Sequence, residues 1–376
     1  MGVEQYRALF MLVSGASLFF IMLLVLRGMS RRNQGESALE LKSEEGWHNK
    51  EQLRIVEIVN ESETIKSFRL RRMGNKPMPS FLPGQFISFQ IGEDEKLIRS
   101  YSIASSSESR ASLVVAVKAL KDGKGSPWFH SLKVGDMVWG YPPRGHFVDP
   151  AASSGRRVYV AGGVGITPIL SMILTHIDAG LSDELHLFYG VRNQSDLAYH
   201  SLLLALSERH LLFSYTPILS HDESWSGARG YIDLQFVKSK VPLSKQEKFF
   251  ICGPLPLIEG LTKELLDEGY SEEQILFEKF VSPASFDPQS LPTRRALISY
   301  QGQSYQYDGR QTLLEFLEEQ GQEIPYSCRS GVCGSCKCRV KGQVTAFTDS
   351  GLTRKEVEDG YVLTCVSLPE GDLELV

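Results

Sequence analysis

Three cysteines fall within nine residues, Cys328-x4-Cys333-x2-Cys336, and a fourth, Cys365, follows after a further 28 residues. This is the ligand spacing of a plant-type 2Fe-2S cluster, a carrier of single electrons. For thiolates so close in sequence to wrap two irons the loop must curl tightly. Gly331 and Gly334 allow that, because glycine accepts positive φ at little cost, and backbone N–H groups of such a loop turn toward the sulfurs. Zinc sites also use clustered cysteines, but they pair their ligands as two C-x2–4-C arms, whereas here the ligands run three and one.

The flanks agree with a small mixed sheet around that loop. Thr312 to Leu317 places apolar residues at helical spacing with Gly321 as a helix stop. Thr353 and Glu356 have the spacing of a capping box. Strand-like runs cover Arg295–Tyr300, Ser304–Tyr307, Cys338–Val340 and Tyr361–Cys365. Residues 294–376 therefore resemble a plant-type ferredoxin of β-grasp fold, and by that resemblance Cys328, Cys333, Cys336 and Cys365 are the metal ligands. Cys338 has no ligand role and is expected as a buried structural thiol facing away from them.

With 376 residues the chain holds two or three domains with real cores. A net charge of −5, and no basic cluster beyond the one next to the N-terminal hydrophobic run, argue against nucleic-acid binding. Five of the six cysteines lie between 328 and 365, which fits cluster ligation in a reducing compartment better than a disulfide framework. Residues Ala8–Leu26 form an uncharged run of 19, bounded by Arg7 and by Arg27, Arg31 and Arg32. As a helix it would span about 28 Å, enough for the hydrocarbon core. It is read as a single-pass anchor in the inner (cytoplasmic) membrane, the alternatives being a signal peptide, for which no small-x-small cleavage site follows, and a buried core helix. Positive residues are denser after the run than before it, which puts the catalytic domains on the cytoplasmic side. Residues 27–50, polar and charged, read as a tether.

From 51 to 150 short strands alternate with turn residues, as in an antiparallel barrel. In the strand segment Arg99-Ser-Tyr101-Ser102, Arg99 and Tyr101 share a face, so a guanidinium could hold a phosphate beside a stacking ring. Alone, the tetrapeptide reads equally well as a solvated strand edge. Next, Gly123-Lys-Gly125-Ser126 opens an expected helix at Pro127–Leu132, where backbone amides can approach a pyrophosphate. Together with the turn Pro142–Gly145, this segment resembles the FAD-binding domain of the ferredoxin-NADP reductase superfamily. By that resemblance Arg99, Tyr101, Ser102, Gly125 and Ser126 hold FAD, with FMN the alternative.

From 156 to 280 strands alternate with helices, the sign of a parallel sheet. Strand Arg157–Ala161 runs into Gly162-Gly163-Val-Gly165-Ile-Thr167-Pro168 and the helix Ile169–Ile177, with Thr167 as expected N-cap. A loop of this kind cradles a pyrophosphate, though by itself it is also a plain strand-to-helix turn. It resembles the nicotinamide loop of the same superfamily, as do Gly190 and Arg192 after one strand and Cys252-Gly253-Pro254 after another. The resemblance places Cys252 beside the nicotinamide as the catalytic residue, where the residue alone would read as a buried strand cysteine. It also places Glu278 and Phe280 against the flavin. Asp222 and Glu223, near the expected adenosine ribose, would repel a 2′-phosphate, which predicts NADH over NADPH.

The expected whole is multidomain, α+β and α/β: a transmembrane helix, a flavin-binding antiparallel barrel, a parallel-sheet nicotinamide domain, a Pro-containing linker at 281–293 and a β-grasp ferredoxin. The order implies an NADH-dependent oxidoreductase carrying FAD and a 2Fe-2S cluster, with a monooxygenase, a desaturase or a hybrid-cluster protein as acceptor. The alternative is an electron-input subunit of a respiratory membrane complex, against which the domain order argues.

Overall fold

The structure, a computed structural model, describes Trp47 and residues 50–121, 123–149, 155–280, 293–326, 329, 331, 334–348, 351–352 and 354–376. The run 8–26, nearly all of 27–50 and of 281–293, and Cys328, Cys333 and Thr353 lie outside the described residues. Among the described residues no helix is long and apolar enough to cross a membrane.

Six strands build the first sheet: β1 (Glu51–Asn60), β2 (Ile65–Arg72), β3 (Phe86–Ile91), β4 (Asp94–Ser102), β5 (Leu113–Lys118) and β6 (Met137–Gly140). Their order is β4-β3-β6-β1-β2-β5, with every pairing antiparallel. An antiparallel bridge from Ile103 to Val115 joins the two edges, so the sheet curls on itself. Inward-facing Leu53, Ile55, Phe68, Leu70, Ile87, Phe89 and Val115 fill it. Such burial of alternate strand residues is worth roughly 25 cal/mol per Å² of apolar surface. Helix α1 (Gly125–Ser131) begins two residues before the expected Pro127 and packs Phe129 between Phe68 and Phe89.

The second sheet holds β7 (Arg157–Gly162), β8 (Leu185–Val191), β9 (Phe213–Leu219), β10 (Ala228–Arg229), β11 (Lys248–Gly253) and β12 (Ile275–Lys279). All are parallel, in the order β10-β9-β8-β7-β11-β12. Every residue of β7 is buried, as expected of a central strand covered on both faces. Between β7 and β11 the strand order changes direction, and ligands of open α/β sheets bind at such a point. The helices are α2 (Ile166–Asp178), α3 (His200–Arg209), α4 (Leu234–Lys240) and α5 (Leu255–Asp267).

A buried ion cluster joins this sheet to the barrel. Asp149, at the end of the barrel segment, accepts from Arg157 Nε (2.8 Å) and Tyr159 Oη (2.6 Å) and pairs with His176 Nε2 at 2.9 Å. Burial alone would raise the Asp149 pKa, but the His176 bond, the Arg157 charge and the Tyr159 bond outweigh it and hold it below the usual value. Ser171 Oγ also donates to the Ser105 carbonyl at 2.7 Å, tying α2 to the barrel.

The third sheet comprises β13 (Arg294–Tyr300), β14 (Gln303–Gly309), β15 (Lys337–Lys341), β17 (Tyr361–Leu363) and β19 (Leu373–Leu375), in the order β14-β13-β19-β15-β17. β16 (Val344–Ala346) and β18 (Ser367–Pro369) form a separate pair. β13 and β19 run parallel within the otherwise antiparallel sheet. Helix α6 (Leu313–Glu319) ends at Gly321, φ 74°, as its sequence anticipated, and opens on a capping box of Thr312 and Glu315 that sequence reasoning missed. A short helix α7 (Arg354–Glu358) follows.

Candidate functional site

On β4 the side chains of Arg99 and Tyr101 meet the start of α1. A Cβ at Gly125 would lie 2.8 Å from both Arg99 Cγ and Tyr101 Oη, so only glycine lets the helix sit on this strand. The Tyr101 ring packs edge-on against Phe129 at 4.9 Å, and burial pushes its hydroxyl pKa well up. Burial also lowers the pKa of the Arg99 guanidinium. A bound anion would restore it, which suits a phosphate site. The Ser126 hydroxyl is occupied locally: it accepts from the Leu120 N–H at 3.0 Å and holds the turn into α1.

At the switch point three glycines bring the ends of β7 and β11 together. A Cβ at Gly165 would lie 2.2 Å from the Cys252 carbonyl oxygen, and one at Gly162 would lie 2.6 Å from Pro254 Cδ. Gly253 would meet Gly162 Cα at 3.0 Å, and Gly163 takes φ 56°. The loop therefore closes against a neighbouring backbone with no side chain between, as a pyrophosphate cradle requires. One expectation is corrected. Helix α2 starts at Ile166 after a short 3-10 turn, so Thr167 is inside its first turn and donates to the Val164 carbonyl at 3.0 Å instead of capping it. The glycine run itself winds into the helix, which moves the start one residue ahead of the threonine.

Gly190 lies one residue before the end of β8, beside Ile232, and Arg192, just beyond the strand, is exposed, its carbonyl accepting from the His221 N–H at 3.0 Å. Asp222 accepts from Ser224 Oγ (2.5 Å), from the Gln194 N–H (3.2 Å) and from the Ser224 N–H (3.0 Å), and these bonds hold its pKa below the usual carboxylate value. Sequence reasoning missed Arg229 in this neighbourhood. It donates to the carbonyls of Trp225 (2.8 Å) and Glu223, so a cation braces the loop bearing the two acids.

Cys252 is fully buried on β11 and lies opposite Glu278 of β12. Burial, with the Glu278 charge adding to it, pushes the Cys252 thiol pKa far up, so the group is a neutral thiol rather than a nucleophile. Glu278 in turn accepts from Ser102 Oγ of β4 at 3.4 Å. Some of its surface reaches solvent, yet burial of the carboxyl pushes its pKa up to about 8 against the pull of that hydrogen bond. Ser102, Glu278 and Cys252 thus converge from both sheets, while Phe280 stands exposed at the end of the second.

Of the four cluster cysteines the described residues include two. Cys336 and Cys365 are both buried, and Thr364 donates to the Cys336 carbonyl through its N–H (3.2 Å) and its Oγ1 (3.0 Å), locking the two segments together. Cys365 lies in a 3-10 turn, Thr364–Val366, and not in the strand expected there, which ends at Leu363. Gly331 and Gly334 take φ 76° and 70°. A Gly351 N–H bond to the Gly331 carbonyl (2.9 Å) closes the loop. Buried thiols in an apolar setting, framed by left-handed glycines, suit an iron–sulfur cluster. Cys338 is half-buried where a fully buried thiol was expected; it packs against the third core, and burial pushes its thiol pKa up to about 11.

Three families match in the same order. The oxidoreductase FAD-binding domain covers residues 52–148, the oxidoreductase NAD-binding domain 159–263 and the 2Fe-2S iron-sulfur cluster binding domain 298–370. The chain belongs to the flavoprotein reductases that join FAD- and NAD-binding domains to a C-terminal 2Fe-2S ferredoxin domain. It is 28% identical, over 87% of its length and 95% of the relative's, to the glycine betaine monooxygenase reductase subunit of Pseudomonas aeruginosa. It is 26% identical to the ferredoxin reductase component of 3-ketosteroid-9-alpha-monooxygenase of Mycobacterium tuberculosis, over 85% of this chain and 94% of that one. Phthalate dioxygenase reductase, described as a modular structure for electron transfer from pyridine nucleotides to a 2Fe-2S centre, superposes with a TM-score of 0.61 at 26% identity, covering 87% of this chain and 97% of that one.

Proposed function

We propose that this chain is the NADH-oxidising reductase component of an oxygenase system, passing electrons through FAD and a 2Fe-2S cluster to a separate oxygenase. The observation that carries the reading is the convergence of Ser102, Glu278 and Cys252 from the flavin and nicotinamide sheets at a single point. When bound, FAD would supply acceptance of a hydride from NADH and release of its electrons one at a time. The residues of the chain supply position. Arg99, Tyr101, Ser102, Gly125 and Ser126 hold the flavin, and Gly162, Gly163, Gly165, Thr167, Gly190, Arg192, Gly253 and Pro254 hold the dinucleotide. Cys252 orients the nicotinamide as a neutral wall of the site, and Glu278 with Phe280 bounds the flavin edge. Cys328, Cys333, Cys336 and Cys365 hold the cluster.

The named relatives are reductase components of monooxygenases, which favours an oxygenase over a desaturase or a hybrid-cluster protein as acceptor. The run 8–26 supports an anchor in the cytoplasmic membrane on its length and flanking charges. The test is anaerobic addition of NADH to the flavin- and cluster-loaded protein. Flavin bleaching followed by the paramagnetic signal of a reduced cluster is expected, and absence of both would defeat the proposal.

A further inference from the structure

Helix α2 meets the barrel segment along one face, and that face makes two kinds of contact. Ile169 and Met172 of the helix share one apolar core with Ala104, Val114 and Phe147. Apolar burial holds two surfaces together but is non-directional, so by itself it leaves the helix free to slip along the barrel. Ser171 and Thr175, one turn apart and both fully buried, supply the missing direction. Ser171 Oγ donates to the Ser105 carbonyl at 2.7 Å. Thr175 Oγ1 accepts from the Ser107 N–H at 3.0 Å and from the Ser107 hydroxyl at 3.3 Å, and donates back to the Ser171 carbonyl at 2.7 Å. Hydrogen bonds hold their length and angle within narrow limits, so this pair fixes the helix in both register and depth against residues 105–107.

Each end of the connection leads to a site. Helix α2 opens at Ile166, directly after the Gly162–Gly165 loop, and Ser171 lies about 8 Å further along its axis. On the other side Ser105 follows three residues after Ser102, which ends β4 and meets Glu278 at 3.4 Å. The receiving segment is itself pinned to β5: the Ala104 N–H donates to the Val114 carbonyl at 2.7 Å, and Ser105 Oγ accepts from the Val114 N–H at 3.1 Å. His176 pairs with Asp149 next along the helix, further from the glycine loop than either hydroxyl.

We infer that Ser171 and Thr175 are positioning residues for hydride transfer: through the Ser105 carbonyl and the Ser107 amide they set the distance between the dinucleotide loop and the flavin strand. This deepens the proposed function and rests on it. The step breaks the C–H bond at nicotinamide C4 and moves the hydrogen with both bonding electrons to the flavin ring. Reacting atoms must approach to about 3–3.5 Å, and a misplacement of about 1 Å can cost on the order of a hundredfold. Slip of α2 is therefore felt in the chemical step, while the pyrophosphate cradle travels intact with its own helix and keeps its affinity.

The experiment compares wild type with Ser171→Ala, Thr175→Val, which keeps the side-chain shape and removes the hydroxyl, and Thr175→Ser, which keeps the hydroxyl. All are loaded with flavin and cluster. Stopped-flow absorbance gives the limiting rate of flavin reduction and the half-saturating NADH concentration, long-wavelength charge-transfer absorbance reports stacking of nicotinamide on flavin, and hydrogen–deuterium exchange follows the amides of residues 105–107. Ser171→Ala and Thr175→Val are expected to lower the limiting rate about tenfold or more, to leave half-saturation within about threefold, to weaken the charge-transfer band and to speed exchange at 105–107. Thr175→Ser is expected to stay within about twofold of wild type in every readout. The inference is overturned by a limiting rate within about twofold of wild type in both Ser171→Ala and Thr175→Val, by half-saturation rising in step with the fall in rate, or by Thr175→Ser as slow as Thr175→Val. Loss of most of the bound flavin in both hydroxyl-free variants would overturn it too, by showing that the pair holds the fold and not the geometry of the step. Wild-type protein whose flavin does not bleach with NADH would instead defeat the functional reading.

Discussion

Gly165 shows how one residue fixes the loop proposed to hold the dinucleotide. Because a Cβ there would lie 2.2 Å from the Cys252 carbonyl oxygen, Gly165→Ala must push the loop off β11. Flavin reduction by NADH should fall at least tenfold while FAD content, read from the released flavin, stays near one per chain. Asp222, in the loop after β9, accepts from Ser224 and Gln194, and in the proposed site it would carry the coenzyme preference. Asp222→Asn should raise the NADPH to NADH ratio of kcat/KM several-fold, and an unchanged ratio would place discrimination elsewhere. Glu278 makes a pH prediction. Its native pKa of about 8 lies above the ordinary 4.5, so the folded state favours the neutral acid. The stability this contributes is fully present below about 4.5 and is lost as pH rises through about 8, because the unfolded chain ionises freely while the native site resists. Glu278→Gln should therefore raise the melting temperature more at pH 8.5 than at pH 5. The reverse order would contradict burial of that carboxyl.

Among the elements, local signals were the readable ones. The cysteine spacing, the glycine loop after β7 and the Gly321 stop all lie within a few residues of the structure they specify, so spacing and helix-stop chemistry reveal them. Thr312→Ala should cost about 1 kcal/mol, seen as a lower melting temperature of the cluster-loaded protein. What the sequence left hidden joins residues far apart in the chain. Asp149 meets His176 and Arg157 across the barrel and the second sheet, and Ser102 meets Glu278 across 176 positions. No short pattern encodes such pairings, because each depends on how completed sheets stack. The expected Thr167 cap failed for a different, local reason: the Gly163–Gly165 turn had already begun the helix.

At the scale of the whole molecule, the buried Asp149 cluster ties the barrel segment to the second sheet. Removing its acid would leave Arg157, 1% exposed, without its principal partner. Asp149→Ala should cost about 3–5 kcal/mol, the usual loss on breaking a buried ion pair, and release flavin on mild heating. The central claim, that electrons reach the acceptor only through the cluster, is tested most directly by Cys365→Ala. NADH-to-ferricyanide activity within about twofold of wild type, with the cluster signal and cytochrome c reduction both lost, is the predicted result; cytochrome c reduction persisting at the wild-type rate without a cluster would contradict it.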